Sequence, residues 1–347
     1  MQPPFIWDYY SDQPQVITDK AYKKRMKKPH FFDYLKLFFT SIVVLPIGVF
    51  LMKFFRSDKK MGLGICVNFD KDNAQTLLVE ELGVKNLLIR FPLWEMDKLY
   101  EYKRFAQSFG DDKKIVIAIL QDREHIENPL MLKDHLSQIF EVFGSFCNEF
   151  QIANAINRTK WGFFAVAEYL EFFKIAQDLR NEKYKNIQLI GPGVIDFEYY
   201  YTARALFNTK NIYFDKLSAL LYVDRRGAPQ NTQYGIFDTS NKIDLLYALA
   251  KMSSKTSDEI YITEVNWPLK NTAPYAPTSE KECVSEEDYS KFMIDYLDIC
   301  KKSGKISKVF WHQLIAPGYG LVDNRGEKIR KTKAFYAFKK VIDENID

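Results

Sequence analysis

Polar and aromatic side chains cluster directly after several short apolar runs of the chain. The most informative segment is Ile262–Pro268, in which Glu264 ends an apolar run and is followed by Asn266 and Trp267. A carboxylate at such a position can transfer a proton or stabilise a developing positive charge. Amides and aromatic faces suit the hydroxyls and C–H surfaces of a sugar. The segment therefore indicates a carbohydrate site with Glu264 as the candidate catalytic residue.

The other candidate binding residues follow four further apolar runs. They are Arg90 and Trp94 after the second run, Asn154, Asn157 and Arg158 after the fourth, Tyr222, Arg225 and Arg226 after the sixth, and Trp311, His312 and Gln313 at the eighth. Arginines can bind an anionic group through paired hydrogen bonds. The arginines therefore favour an acidic sugar or a phosphorylated glycan, although salt bridges to loop carboxylates are an alternative.

Eight apolar runs of strand length alternate with segments of helical period, which is typical of repeated βα units. The predicted strands are Gly62–Asn68, Asn86–Phe91, Ile115–Leu120, Phe150–Asn154, Ile187–Gly191, Ala219–Val223, Ile260–Glu264 and Lys308–Trp311. The predicted helices are Leu132–Phe146, Phe164–Leu179, Asp244–Met252, Glu286–Lys302 and Lys333–Asp343. We therefore predict an α/β fold, a (β/α)8 TIM barrel over residues 61–347, with the site at the C-terminal ends of its strands.

The first sixty residues differ from the rest and predict a membrane anchor. Leu37–Met52 is a mostly apolar run between Lys36 and Lys53. Its helical length is roughly 24 Å, less than the roughly 30 Å hydrocarbon core of a bilayer, but flanking lysines can reach the interface. We predict a transmembrane anchor at residues 31–56 after a basic cytoplasmic arm at residues 1–30, with a buried core helix as the alternative. Basic residues are denser before the run, so the barrel is expected outside.

Charge and cysteine distribution exclude several kinds of partner. The first sixty residues carry eleven Lys or Arg and five Asp, a net charge of +6, whereas the whole chain carries +4. The barrel therefore carries −2, which argues against a nucleic-acid partner. The four cysteines show no CxxC spacing and the four histidines are scattered, so we predict no metal and no cofactor. A disulfide between Cys283 and Cys300 is an alternative to free thiols if the barrel lies outside the cytoplasm.

Most of residues 61–347 resemble the clan of (β/α)8 glycoside hydrolases that retain anomeric configuration. The resemblance is carried by Ile262–Pro268, with support from Arg90 and Trp311. It implies that Glu264 is the nucleophile and that an Asn-Glu pair should end the fourth strand. This chain has Asn154-Ala155 there, so the usual acid/base is missing, although retaining hydrolysis requires two carboxyl groups. Candidate replacement acids after other strands are Glu95, Asp122, Glu124 and Asp224.

The anchor and the barrel together resemble membrane-anchored, glycosidase-like proteins of lipopolysaccharide core modification. This resemblance implies a Kdo hydrolase, or a subunit of one, on the periplasmic side of a bacterial inner membrane. The implied partners are the lipid bilayer, an envelope glycan or lipopolysaccharide, and a second protein subunit. Kdo is a carboxylated keto-sugar with an acid-labile bond, which tolerates weak acid assistance. The alternative is a catalytically degenerate barrel that binds a glycan or acts as a scaffold.

Overall fold

Eight parallel strands close into a barrel in the computed structural model, which describes residues 3–71 and 73–344. The strands are β1 (Gly62–Val67), β2 (Asn86–Pro92), β3 (Lys114–Leu120), β4 (Glu149–Ile152), β5 (Gln188–Ile195), β6 (Lys216–Leu220), β7 (Ile260–Ile262) and β8 (Lys308–Trp311). Each pairs with its sequence neighbour, and β8 pairs with β1 to close the ring. The prediction of a TIM barrel is confirmed.

Helices surround the strands and agree with the predicted helical segments. They are α1 (Lys20–Lys27), α2 (Phe31–Leu51), α3 (Gln75–Leu82), α4 (Leu99–Gln107), α5 (Arg123–Glu127), α6 (Pro129–Phe143), α7 (Val166–Lys183), α8 (Tyr199–Leu206), α9 (Thr239–Met252), α10 (Glu286–Ser303) and α11 (Lys333–Asp343). Side-chain caps explain several starts: Asp238 accepts from the Asn241 N–H, and Ser285 accepts from the Asp288 N–H.

Strand ends differ from the predictions where the backbone turns. β4 stops at Ile152 because Ala153 and Ala155 adopt left-handed φ values of 70° and 46°. β5 instead continues to Ile195, past the predicted end at Gly191. An apolar run does not encode these turns, so periodicity identified the strands but not their last residues.

Apolar side chains fill both the barrel interior and the layer between strands and helices. Inside the barrel, Cys66, Leu88, Val116 and Phe310 belong to one buried cluster. Gly64 allows the close approach of Phe310, since a Cβ at Gly64 would lie 2.5 Å from the Phe310 ring. All four cysteines are free, so the Cys283–Cys300 disulfide does not form.

The segment before α1, which belongs to the predicted N-terminal arm at residues 1–30, packs over the mouth of the barrel. Trp7–Asp8 pairs with Gln13–Pro14 in an antiparallel hairpin. Phe5 and Ile17 are buried beside Phe164, which follows β4. We refer to residues 5–18 as the N-terminal hairpin. Its apolar side chains pack on the barrel, a contact that the basic composition of residues 1–30 as a whole did not reveal, since residues 5–18 contain no Lys or Arg.

Helix α2 lies along the outside of the barrel against α8 and α9. Asp33 is buried and accepts from Arg204 Nε of α8 at 3.0 Å. Gly48 is also buried, and a Cβ there would lie 3.0 Å from Leu245 Cδ1 of α9. Lys20–Leu51 is long and apolar enough to cross a membrane by length and composition, and only 11% of its most apolar part is buried. The helix is therefore not a core helix. The structure places the hairpin and the barrel together, not on opposite sides of α2.

Candidate active site

Glu264 lies just beyond β7 and receives hydrogen bonds from the ends of three other strands. Its Oε2 accepts from Arg90 Nη2 of β2 at 2.6 Å and from Asn154 Nδ2, beyond β4, at 3.4 Å. Its Oε1 accepts from the hydroxyl of Tyr222, beyond β6. The C-terminal ends of all barrel strands surround one mouth of the barrel, which explains why these residues meet. The sequence predicted all four.

The surroundings of Glu264 keep its carboxylate ionised. Burial alone would raise the pKa of Glu264, but His312, Arg90 and the hydrogen bond from Tyr222 lower it to about 2. Burial raises the pKa of Tyr222 well above its usual value, so its hydroxyl stays a donor. Burial and the charge of Arg90 lower the pKa of His312 to about 3. At neutral pH the site therefore contains a carboxylate beside a neutral imidazole.

Glu264 lines a cavity of about 180 Å³ at the C-terminal end of the barrel. Two polar atoms of residues in its lining, His312 Nδ1 and Asn266 Oδ1, are buried without a hydrogen-bond partner among the described residues. Buried polar groups are normally hydrogen-bonded, so these atoms have capacity for a ligand or a water. The lining consists of Ser11, Asp12, Gln13, Arg90, Ala155, Arg158, Lys160, Trp161, Ile195, Asp196, Tyr222, Arg226, Glu264, Asn266, Pro277, His312 and Tyr319.

Two cations of this cavity, Lys160 and Arg226, form no ion pair with a carboxylate in residues 3–71 or 73–344. The Arg226 guanidinium lies 3.4 Å from the centre of the Tyr222 ring, and its Nη1 has no hydrogen-bond partner there. Lys160 Nζ donates to the side-chain oxygen of Gln13. Burial lowers the pKa of Lys160 to about 8, despite the opposing charge of Glu264. The cavity thus offers two positive groups to an anionic ligand.

The loop after β4 has a fixed backbone in which Ala155 faces the cavity. Gln121 Oε1 accepts from the Asn154 N–H at 2.9 Å, and Gln121 Nε2 donates to the carbonyls of Asn154 at 2.8 Å and Trp161 at 3.0 Å. These bonds hold Asn154 beside Glu264 while Ala155 lines the cavity. The residue that departs from the glycosidase pattern therefore lies at the site itself, where its methyl group provides no proton.

Two further carboxylates line the cavity, and the sequence analysis missed both. Asp12 accepts from Lys71 Nζ at 2.9 Å and from Gln313 Nε2 and the Tyr319 hydroxyl, each at 2.7 Å. Its carbonyl accepts from Arg90 Nη1 at 3.1 Å. Nothing in the local sequence indicates this contact, because it depends on the docking of the N-terminal hairpin.

The other missed carboxylate is Asp196, which directly follows β5. Asp196 Oδ2 lies 2.6 Å from Arg158 Nη2, and the Asp196 side chain is 42% exposed. The rule that polar residues follow barrel strands would have identified Asp196 if β5 had been predicted to end at Ile195.

The structure brings half of the predicted site residues to this cavity. Arg90, Arg158, Tyr222, Arg226, Glu264, Asn266 and His312 line it. Asn154 contacts Glu264, and Gln313 donates a hydrogen bond to Asp12 without lining the cavity itself. Arg225 is exposed and lines an adjoining cavity that also contains Asp224.

Four predicted binding residues have structural contacts instead. Trp267 and Trp311 are fully buried with ring centres 5.9 Å apart, and their indole N–H groups donate to the Gly227 carbonyl and the Tyr289 hydroxyl. Neither ring face is free for a sugar. Asn157 exchanges two hydrogen bonds of 3.0 Å with the main chain of Ile195. Trp94 packs against Trp7 of the hairpin.

The proposed replacement acids also lie outside the cavity of Glu264. Glu95 accepts from the Tyr102 hydroxyl at 2.8 Å. Asp122 caps α5 and contacts the His125 ring at 2.8 Å. Glu124 lines a separate cavity with Asp122, and Asp224 lines the adjoining one. Position after a strand was too weak a criterion, because loops after strands also carry caps and solvated acids.

Comparison with known proteins identifies the fold. No protein-family model and no curated protein matches the chain. Among solved structures, a β-glucosidase from Thermotoga maritima is 11% identical, with a TM-score of 0.60 over 84% of this chain and 99% of that one. A family 39 glycoside hydrolase from Bacteroides cellulosilyticus WH2 is 13% identical, with a TM-score of 0.59 over 82% and 64%. A GH2 β-galacturonidase from Eisenbergiella tayi, bound to galacturonate, is 14% identical, with a TM-score of 0.54 over 83% and 51%. These likenesses show the fold alone, a barrel shared with glycoside hydrolases.

Proposed function

We propose that this chain hydrolyses a glycosidic bond in an anionic glycan, with Glu264 as the carboxylate that attacks or stabilises the reacting sugar. The observation that supports this most strongly is an ionised, buried carboxylate held by Arg90, Asn154 and Tyr222 in a cavity at the C-terminal end of a barrel. A carboxylate fixed before the reaction stabilises positive charge without reorganisation.

Lys160 and Arg226 support the anionic character of the proposed substrate. A carboxylate or phosphate would supply the anionic partner that neither cation has among the described residues. A carboxylated sugar is within the range of this fold, since the similar β-galacturonidase was solved with galacturonate bound.

The specific substrate we propose is Kdo in lipopolysaccharide, at the surface of a bacterial inner membrane. Its carboxylate suits the two cations, and its acid-labile ketosidic bond suits a site with Ala155 in place of the usual acid. A periplasmic barrel with residues 1–30 in the cytoplasm requires the N-terminal hairpin to leave the barrel mouth. Alkaline phosphatase fused after Asp347 would be active only if the barrel is external.

The test of the proposed function is Glu264→Gln, assayed on purified lipopolysaccharide by mass spectrometry of released sugar. We expect a rate loss of at least about a hundredfold, because a neutral amide neither attacks nor stabilises an oxocarbenium ion well. Glu95→Gln, which lies outside the cavity, should keep wild-type activity. Circular dichroism and thermal unfolding would show that both variants fold. Full activity of Glu264→Gln would refute the enzyme proposal.

A second candidate function is glycan binding without hydrolysis, favoured by Ala155 and by the hairpin in the barrel mouth. In that case the wild-type chain alone would bind lipopolysaccharide without hydrolysing it. Any hydrolysis would come from a catalytic partner subunit. Arg226→Met would then weaken binding, and Glu264→Gln would leave the activity of the partner unchanged.

A further inference from the structure

Helix α2 exposes a broad apolar surface that the barrel does not cover. Phe32, Phe38, Phe39, Ile42, Val43 and Phe50 are each between 51% and 74% exposed. We call these six residues the apolar face. A groove of about 850 Å³ runs beside it, lined mainly by apolar side chains of α2. Apolar patches of this extent on a folded protein mark sites of interaction with proteins or membranes.

Both flanks of α2 are attached to one barrel, which decides how this face can meet a membrane. The preceding hairpin is held at the mouth by Asp12, and the following chain by Lys59, whose Nζ lies 2.6 Å from Asp258. A helix that crosses a bilayer leaves its flanks on opposite sides. With both flanks docked, α2 can only lie parallel to a membrane surface, with α8 and α9 behind it.

The opposite face of α2 is unsuited to lipid, which strengthens this orientation. Asp33 is buried in an ion pair with Arg204 of α8, and Gly48 packs against α9. Lipid on that side would require the charged pair to separate in an apolar medium. The barrel side and the apolar face are thus two distinct surfaces of one helix.

Basic residues next to the apolar face match an anionic surface. Helix α1 contains Lys20, Lys23, Lys24, Arg25 and Lys27 and has no buried residue. In the described chain none of these cations pairs with a carboxylate. The first sixty residues carry +6 and the remainder −2, so attraction to anionic headgroups is confined to the N-terminal segment.

We propose that the apolar face and α1 form an in-plane docking surface for an anionic lipid bilayer, with the hairpin and the barrel on the same side of that bilayer. A helix that lies in the plane of a bilayer buries its apolar side chains at the boundary between headgroups and acyl chains. The proposal is independent of glycan hydrolysis and does not rest on the activity of Glu264.

The experiment is flotation of the purified full chain with vesicles of phosphatidylcholine alone, or of phosphatidylcholine and phosphatidylglycerol in equal parts. We expect binding that is stronger with phosphatidylglycerol, weakens with salt, and is released by alkaline carbonate. Each phenylalanine replaced in the combined Phe38→Ser, Phe39→Ser and Phe50→Ser variant should weaken vesicle binding by at least about tenfold. Lys23→Glu with Lys24→Glu should remove the preference for phosphatidylglycerol.

The matched control carries Leu77→Ser and Leu130→Ser, which are 75% and 82% exposed on α3 and α6. It should bind vesicles like the wild type. Resistance to carbonate, with residues 1–19 and the barrel cleaved by protease from opposite sides, would overturn the proposal in favour of a spanning helix. A dimer that does not float would overturn it in favour of a second copy on the apolar face.

Discussion

At the scale of single residues, the charge state of Lys160 links substrate binding to pH. Burial lowers the pKa of Lys160 to about 8, so the ammonium is mostly protonated at neutral pH and is neutralised as the pH rises through that value. Glu264 and His312 have pKa values of about 2 and about 3, so neither changes charge in this range. An alkaline decline in affinity for an anionic ligand would therefore report Lys160.

We expect the affinity for an anionic glycan to fall between roughly pH 7 and pH 9. Lys160→Arg should move this decline to higher pH, because a guanidinium stays charged. Lys160→Met should weaken binding about 10- to 100-fold at neutral pH, the usual contribution of a charge-assisted hydrogen bond. The measurement is the dissociation constant as a function of pH, with a methyl ester of the glycan as control. An unchanged constant across this range would contradict the role of Lys160.

The sequence predicted most of the site residues that lie at the ends of barrel strands. It did not predict those contributed by the distant N-terminal hairpin. Glu264, Arg90, Asn154 and Tyr222 follow from the rule that barrel strands carry functional residues at their C-terminal ends. Trp267 and Trp311 obey the same rule but are buried, because position after a strand does not distinguish the cavity from the layer behind it. Asp12 depends on a contact across 301 residues with Gln313, which local pattern does not encode.

At the scale of elements, a buried ion pair fastens α2 to the barrel. Asp33 and Arg204 have side chains only 8% and 6% exposed, and Asp33 Oδ2 also accepts from the Ala167 N–H at 3.0 Å. Removing one member of such a pair leaves the other charge buried without a partner.

We expect Asp33→Ala to lower the free energy of unfolding by about 3–5 kcal/mol. The double variant Asp33→Leu with Arg204→Met should recover most of this loss, because it removes both charges and keeps the volume filled. Chemical denaturation of the two variants and the wild type would measure these differences in the free energy of unfolding. If the double variant were as unstable as the single one, packing around α2, not the unpaired Arg204, would be the cause.

At the scale of the whole molecule, the barrel was predictable and the placement of the first sixty residues was not. Eight apolar runs indicated eight strands, and their order in the barrel follows their order in the chain. Composition indicated that α2 is apolar, but composition does not report which side packs on α8 and α9 or where the hairpin docks.

Deleting residues 3–18 should leave the barrel folded but less stable. The strands close without the hairpin, whereas the burial of Phe5 and Ile17 and the contacts of Asp12 are lost. We expect the midpoint of thermal unfolding to fall by roughly 3–10 °C. Asp12→Asn, which retains the apolar contacts, should cause a smaller decrease. Equal midpoints for the deletion and the wild type would mean that the hairpin does not dock in solution.

The docked hairpin also has a consequence for the order of folding. It is synthesised first, yet Asp12 binds Gln313 and Tyr319, which lie 301 and 307 residues later in the chain. Contacts of such separation form late, because the entropy of closing the loop is lost before the contact stabilises anything. Gln313 and Tyr319, which follow β8, are not in place to receive Asp12 until β8 has joined β1. We therefore expect the nascent chain to emerge from the ribosome without a complete cavity, and the site to be assembled late in folding.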